Sequence, residues 1–188
     1  MKKLILLTLF LLPLVAFSQT QLGSDIDGEA AGDNSGWSVS IDSDGSHVAI
    51  GVGALYMDGS GSSAGHVRIY SWDGSAWSQV GSDIDGEAAN DYFGYSVSID
   101  SDGSHVAIGA YLNDGSGSDS GHVRVYEYSS GSWTQVGNDI DGEAANDYSG
   151  FSVSIDSDGS HVAIGATGND GNGSMAGLVR IYSWDGSA

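Results

Sequence analysis

One stretch of sequence occurs three times in this chain, and the repetition restricts the folds that the chain can adopt. The segment SVSIDSDGSHVAIG occupies residues 38–51, 96–109 and 152–165 without a change. Each unit is also marked by GSDIDGEAA or GNDIDGEAA, which begins at Gly23, Gly81 and Gly137. The repeat length is therefore 56–58 residues. Repeats of this length are typical of folds in which each unit buries its apolar surface against the next unit.

Each unit contains the pattern of four short antiparallel strands. In the second unit, residues 95–99 alternate polar and apolar side chains, and the turn-forming DSDGS separates them from a second apolar strand at 105–110. Residues 122–128 (HVRVYEY) are rich in β-branched and aromatic side chains, and 132–136 form a short fourth strand. Ser96 and Ser98 are small, which suits the crowding near a central axis around which such units would be arranged.

We therefore predict an all-β fold of β-propeller blades: three four-stranded antiparallel repeats of 56–58 residues, forming part of a larger propeller. A β-sandwich is the structural alternative, but it does not require such close self-similarity. A disordered low-complexity tract is a further alternative. The apolar residues recur at regular positions, which argues against it.

The domain boundaries follow from the repeat. Residues 1–18 are predicted to be a signal peptide, and 19–188 a β-propeller segment. The blades span about 23–80, 81–136 and 137–188, with the last blade incomplete and residues 19–22 forming an orphan strand. Two hypotheses remain open. The chain is a fragment of a longer array, or several copies self-associate to complete a ring.

The N-terminal residues have the three regions of a secretory signal peptide. Lys2 and Lys3 precede an apolar run from Leu4 to Phe17, and Ala16 and Ser18 supply small residues before a cleavage point. The run is shorter than the about 20 residues that cross a bilayer. We therefore expect a secreted, extracellular or cell-surface protein with no membrane insertion after signal cleavage.

The charge and the absence of cysteine exclude further classes. The formal net charge is −20, and beyond the signal only Arg68, Arg124 and Arg180 are fixed positive charges. Such a surface repels nucleic acid phosphates, so we expect no nucleic acid partner. Without cysteine, the fold depends on packing, hydrogen bonds or a metal ion. The arginines are expected to pair with carboxylates such as Asp91 and Asp100.

The units resemble the FG-GAP repeat, the blade type of integrin α-subunits and of many secreted bacterial proteins. Phe93-Gly94 before the first strand and Gly109-Ala110 after the second carry the resemblance. The other units have Ser35-Gly36, Ser149-Gly150 and Gly165-Ala166 at these places, and the motif's Pro is absent. The resemblance implies a non-catalytic binding or adhesion module of a surface protein that recognises a protein or a glycan. It does not identify the ligand.

Calcium is the one cofactor that the sequence suggests. Each segment that crosses between blades carries oxygen-bearing side chains, which are the ligands that calcium prefers. The candidate ligands are Asp83, Asp85, Glu87, Asn90, Asp91, Asp139, Asp141, Glu143, Asn146 and Asp147. The alternative is a loop kept soluble by its charge. The DSDGSH turns are a weaker candidate, because His105 and its equivalents stand where calcium-binding repeats have a closing carboxylate.

Aromatic residues are the candidate contact surface for a ligand. Trp37, Tyr95 and Phe151 precede the first strand of each unit, and further tyrosines lie in the loops. The loop candidates are Tyr56, Tyr111, and Tyr92 or Tyr148. His47, His105 and His161 open the second strand of each unit and are expected to lie far apart around a ring.

No catalytic motif is present, so we expect no enzymatic activity. The favoured hypothesis is a secreted or cell-surface binding module. The alternatives are a structural repeat of a surface filament and a non-catalytic part of a polysaccharide hydrolase.

Overall fold

The computed structural model describes residues 18–53 and 61–184. These residues form three antiparallel sheets of three to five strands and contain no helix. No membrane-spanning helix is found among them. The predicted all-β architecture of blade-like sheets is confirmed.

Twelve strands are distributed over the three sheets in chain order. The first sheet holds β1 (Ser35–Ile41), β2 (His47–Val52), β3 (His66–Trp72), β4 (Trp77–Gln79) and β5 (Ile84–Asp85). The second sheet holds β6 (Ser96–Ile99), β7 (His105–Ala110), β8 (His122–Ser129) and β9 (Ser132–Asp141). The third sheet holds β10 (Ser149–Ile155), β11 (His161–Ala166) and β12 (Leu178–Ser183).

The identical DSDGSH segments produce the same hairpin in every sheet. In the second sheet the Asp100 amide donates to the His105 carbonyl at 3.0 Å, which closes the turn. The Asp102 carboxylate accepts from the Ser104 amide at 3.0 Å. The register that follows is the same in all three sheets. The corresponding pairs are Val39 with Ile50, Val97 with Ile108, and Val153 with Ile164.

The segment after the fourth strand does more than cross to the next blade. Ile84 and Asp85 form β5, which pairs with β3, and in the second sheet β9 continues through the same positions. Ile84 is buried, and it pairs with Val67 on β3. The apolar side chain holds this part of the segment against the sheet that it has just left.

Residues 19–22, predicted as an orphan strand, form no strand in the structure. The Leu22 carbonyl accepts from Trp77 Nε1 at 3.0 Å. Gly23, at φ +74°, lies against the Trp72 ring. The same contact recurs where Trp133 Nε1 donates to the Val80 carbonyl at 2.8 Å. This N-terminal segment therefore contacts the first sheet through tryptophan side chains rather than through strand pairing.

Each sheet packs face to face on the next. We call the face that contacts the following sheet the forward face, and the face that contacts the preceding sheet the rear face. Buried residues of the first forward face and of the second rear face form one core cluster. That cluster includes Ala49, Val67, Ile69, Ile84, Val97, Ile99, Val106 and Ile108. The second and third sheets meet in the same way through Ala107, Val123, Ile155, Val162 and Ile164.

Serine side chains join the sheets across this core. Ser96 Oγ donates to the Gly150 carbonyl at 2.7 Å, and Ser98 Oγ accepts from the Ile155 amide at 3.0 Å. The same bonds join Ser38 to Gly94 and Ser40 to Ile99. A Cβ atom on Gly109 would lie below 3.0 Å from the Gly150 carbonyl oxygen. The small residues therefore let neighbouring sheets approach closely, and Ser96 and Ser98, which we expected near a central axis, lie at this contact between sheets.

Candidate binding surface

Aromatic rings from all three sheets meet in one patch. Tyr95 lies with its ring centroid 4.3 Å from Tyr111, 5.1 Å from Phe151 and 5.9 Å from Trp37. Tyr92 and Tyr148 flank Tyr111 at 5.8 Å and 6.2 Å. We call this set the aromatic patch: Trp37, Tyr92, Tyr95, Tyr111, Tyr148 and Phe151. Tyr56, the remaining predicted contact residue, lies outside the described residues.

A glycine in the left-handed region positions one ring in each unit. Gly36, Gly94 and Gly150 have φ of 89°, 86° and 84°, and each precedes an aromatic residue of the patch. In the first and third sheets, Trp37 and Phe151 lie where the pairing register shifts, as in a β-bulge. Bulges redirect side chains at sheet edges. The glycine–aromatic pair therefore places the rings at the ends of the sheets.

Two tyrosines of the patch have an unfavourable backbone conformation. Tyr92 has φ 56° and Tyr148 has φ 57°, whereas the corresponding residue of the first unit is Asn34 at φ 51°. Asn tolerates the left-handed region far better than a bulky side chain does. Such strain costs about 1–3 kcal/mol and is concentrated at functional positions. The tyrosines therefore occupy a position that backbone energetics alone would give to Asn or Gly.

The patch is partly open to solvent. Trp37 is 46% exposed and Phe151 is 38% exposed, while Tyr95 and Tyr111 are half-buried between them. Burial raises the pKa of the Tyr111 hydroxyl, and the neighbouring tyrosines add to this shift. The patch therefore presents neutral aromatic groups on a strongly acidic chain.

The arginines form a second set of centres, which lie within the sheets. Arg124 binds Asp139 through Nε at 2.8 Å and through a second nitrogen at 2.7 Å, and it also contacts Glu87. In the first sheet, Arg68 binds Asp83 at 3.1 Å and Glu29 at 2.5 Å. The predicted partners Asp91 and Asp100 are therefore wrong. Arg68 and Arg124 instead each hold one carboxylate before their strand and one after it.

This pairing left a signal in the sequence that the strand pattern did not reveal. Arg68 and Asp83 are separated by 15 residues, and so are Arg124 and Asp139. The Arg124 hydrogen bond holds the pKa of the Asp139 carboxyl below its usual range, despite partial burial. Burial alone would raise the pKa of Glu87, but its hydrogen bond to Arg124 produces a net lowering. Both carboxylates are therefore stabilised in their ionised form.

The ten predicted metal ligands are divided among several surroundings. Asp83, Glu87, Asp139 and Glu143 lie beside arginines, with Glu143 Oε1 3.7 Å from an Arg180 nitrogen. Asp91 and Asp147 are buried and accept hydrogen bonds from Asn113 and Asn169. Asp85, Asn90, Asp141 and Asn146 are exposed. The acidic residues of one crossing segment therefore face two different sheets.

The Asp91 carboxyl is one of the two buried members of this set, and an asparagine side chain contacts it. Asn113 Nδ2 donates to Asp91 at 2.7 Å and to Glu87 at 2.9 Å, so one amide joins both acids. Burial raises the pKa of Asp91, and the nearby Glu87 and Asp114 charges act in the same direction. The asparagine joins the loop after the second strand to the crossing segment.

Two groups of side chains among the described residues lie close enough together to hold a metal ion. One group is Glu87, His122 and Asp139, and the other is Asp156, Asp158 and His161. In the first group the Arg124 guanidinium already contacts both carboxylates. Burial lowers the pKa of the enclosed His122 imidazole, so this ring is held neutral. The second group is exposed and lies in the hairpin turn of the third sheet.

The three hairpin histidines have the same local partners, and each lies in a different sheet. His105 Nδ1 lies 2.8 Å from Asp100 Oδ2 and 3.0 Å from Ser104 Oγ. A serine hydrolase places its serine and its carboxylate on opposite ring nitrogens, whereas here both groups contact Nδ1. A Cβ atom on Gly159 would meet the His105 ring. The histidine thus packs on the turn of the next sheet.

The comparisons with known proteins agree with this architecture. Residues 82–126, which extend from the first crossing segment into β8, match the family model of the FG-GAP repeat. No curated protein matches the chain. The matched segment contains Phe93, Gly94 and the repeated DSDGSH hairpin, and equivalent hairpins precede and follow it. The chain therefore carries an FG-GAP repeat within an array of three similar blade-like sheets, consistent with an FG-GAP repeat protein of the β-propeller type.

Proposed function

We propose that this chain is a non-catalytic binding module of a secreted or cell-surface protein, and that the aromatic patch is its contact surface. The observation that carries the proposal is the meeting of six aromatic rings from three sheets. Tyrosine and tryptophan supply large contact areas at a low cost in conformational entropy, and they are enriched at binding hot spots.

The strained tyrosines support a role in binding over a purely structural role. Replacing Tyr92 or Tyr148 by Asn would relieve backbone strain, and the first unit already has Asn34 at this position. Neither tyrosine ring fills a fully enclosed space, because both residues are half-buried. A side chain that is kept despite a local cost is expected to act on something outside the fold.

The ligand class follows from the chemistry of the patch and the charge of the chain. Flat neutral rings stack against the apolar faces of sugars and against the side chains of a protein partner. The net charge of −20 repels nucleic acids and anionic glycans. We therefore propose a neutral glycan or a neutral to basic protein as the ligand.

A glycan array and a panel of surface proteins, both probed with the full chain, test this proposal. Trp37→Ala removes the most exposed ring of the patch and should weaken binding about 30-fold, the effect of losing about 2 kcal/mol at a hot spot. Trp184→Ala is the matched control, because Trp184 is similarly exposed but lies outside the patch. Equal losses in both variants would contradict the assignment of the patch.

Two other functions would give different results in the same experiment. A structural repeat of a surface filament would bind no member of either panel. A non-catalytic part of a polysaccharide hydrolase would bind polysaccharides without releasing sugar, and it would bind no surface protein. Binding to a surface protein therefore supports the adhesion module over this alternative.

Calcium remains a prediction of the sequence. Several carboxylates of the segments that cross between sheets are already paired with arginines, and those of one segment contact arginines of two different sheets. This arrangement argues against one calcium ion in each segment. Thermal melts of the chain in a chelator and in millimolar calcium test this point. We expect the same melting temperature in both, and an increase of several degrees with calcium would restore the predicted site.

A further inference from the structure

The two ends of the array expose the two halves of the interface that joins its sheets. On the rear face of the first sheet, Val39 is 64% exposed and Ile41 is 60% exposed. Their equivalents on the second sheet, Val97 and Ile99, are only 8% and 6% exposed, because the first sheet covers them. The first sheet thus presents a rear face whose internal counterpart is buried.

The third sheet, at the opposite end of the array, exposes the other half of the interface between sheets. On the forward face of the third sheet, Val179 is 69% exposed and Ile181 is 73% exposed. Their equivalents on the first sheet, Val67 and Ile69, are completely buried against the second sheet. Exposed apolar surface of this kind marks an interaction site.

The hydrogen-bonding groups of the two end faces are also complementary. Inside the array, Ser38, Ser40 and Ser43 bond to Gly94, Ile99 and Ser101 of the next sheet. In the part of the chain that the structure describes, the equivalent Ser152, Ser154 and Ser157 make no such forward bonds. By analogy, the Gly36 and Ser43 carbonyls of a first sheet would accept from Ser152 and Ser157, and the Ile41 amide would donate to Ser154.

The hairpin histidine gives a further match between the two faces. The side chains of His47 and His105 are 27% and 24% exposed, because each packs on a glycine turn of the next sheet. The side chain of His161 is 55% exposed. At the other end, a Cβ atom on Gly45 would meet no histidine of residues 18–53 and 61–184, and of these residues only Ile41 has an atom within 4 Å of it.

We propose that the forward face of the third sheet docks onto the rear face of the first sheet in a second copy of this chain. The internal interfaces are the template, because the same residue types occupy the same positions at both ends. Such head-to-tail contacts close into a ring or extend without limit. Two copies of the three described sheets give six, within the about four to eight blades of closed propellers. A ring of two copies is therefore the expected form.

Light scattering after size exclusion, on the full chain produced in an exporting host, tests the proposal. The wild type should have about twice the mass of one chain. Ile41→Glu and Ile181→Glu each place a charge in one end face and should weaken association by more than about 100-fold. Thr134→Glu adds the same charge at an exposed position of β9 and should leave the mass unchanged.

Mixing the two end-face variants provides the sharpest result. Each variant alone should be monomeric, whereas an equimolar mixture should form a dimer through its one intact pair of faces. Circular dichroism checks that both variants fold, as expected for substitutions at exposed residues. A monomeric wild type, or a mixture that stays monomeric, would overturn the proposal. A mass that keeps rising with concentration would rule out the two-copy ring.

Discussion

Replacing Gly109 with alanine tests how closely the sheets approach each other. A Cβ atom at this position would lie below 3.0 Å from the Gly150 carbonyl oxygen and 2.5 Å from Ser96 Oγ. The Gly150 oxygen belongs to the backbone of the next sheet, so relief requires the two sheets to separate. The same oxygen accepts the Ser96 hydrogen bond, which would also be lost.

The magnitude follows from three contributions. Overpacking of this kind costs about 1–3 kcal/mol, and the lost hydrogen bond costs about 1 kcal/mol. Alanine restricts the unfolded chain more than glycine does, which returns about 0.4–1 kcal/mol. Gly109→Ala should therefore destabilise the protein by about 2 kcal/mol. For a chain of this size the melting temperature should fall by roughly 4–8 °C.

The third unit provides a matched control in the same sequence context. Gly165 also follows HVAI, but among the described residues a Cβ atom there would meet only Ser152, whose hydroxyl can rotate away. Gly165→Ala should change stability by less than about 0.5 kcal/mol, because the gain in the unfolded chain offsets this mild contact. Urea unfolding at low protein concentration compares the variants while limiting any contribution from association. Equal destabilisation by both substitutions would refute the argument.

Three further experiments test the Arg124 ion pairs, the titration of Asp139 and the backbone strain at Tyr92. Arg124→Met leaves Asp139 and Glu87 without their cation and should cost about 2 kcal/mol, between the values for exposed and buried ion pairs, as measured by urea unfolding. The lowered pKa of Asp139 contributes stability that is present above its unfolded pKa of about 4 and is lost as the pH falls through the folded pKa. The urea concentration at the unfolding midpoint should therefore decrease as the pH is lowered below about 4. In an Asp139→Asn variant this decrease should be smaller. Tyr92→Asn introduces the residue found at Asn34, so it should raise stability by about 1 kcal/mol while weakening ligand binding. A loss of stability in that variant would show that the ring is mainly structural.

The sequence predicted the repeated strands because their signals are local. Alternating apolar residues and the DSDGS turn act within one unit, and the three identical copies reinforce the same interpretation. The aromatic patch could also be predicted from the sequence, since Trp37, Tyr95 and Phe151 occupy equivalent positions in units that stack on one another. Their convergence with Tyr111 follows from this stacking.

The remaining features depend on contacts that local patterns do not encode. Ile84 joins the preceding sheet because it is apolar within an acidic segment, and tertiary packing outweighs the turn-forming residues around it. The predicted arginine partners, Asp91 and Asp100, are wrong, because the strand pattern does not show that Glu87 and Asp139 approach Arg124 from two crossing segments. The predicted metal ligands are contiguous in the sequence, but in the structure Asp83 contacts Arg68 of the first sheet and Glu87 contacts Arg124 of the second.

The central claim is that rings from three repeats act together as one contact surface. Side-chain footprinting by hydroxyl radicals, with and without a ligand identified on the arrays, measures this most directly. We expect joint protection of Trp37, Tyr95, Tyr111 and Phe151, while the exposed Met175 outside the patch remains equally reactive. Protection confined to one unit, or located away from these rings, would contradict it.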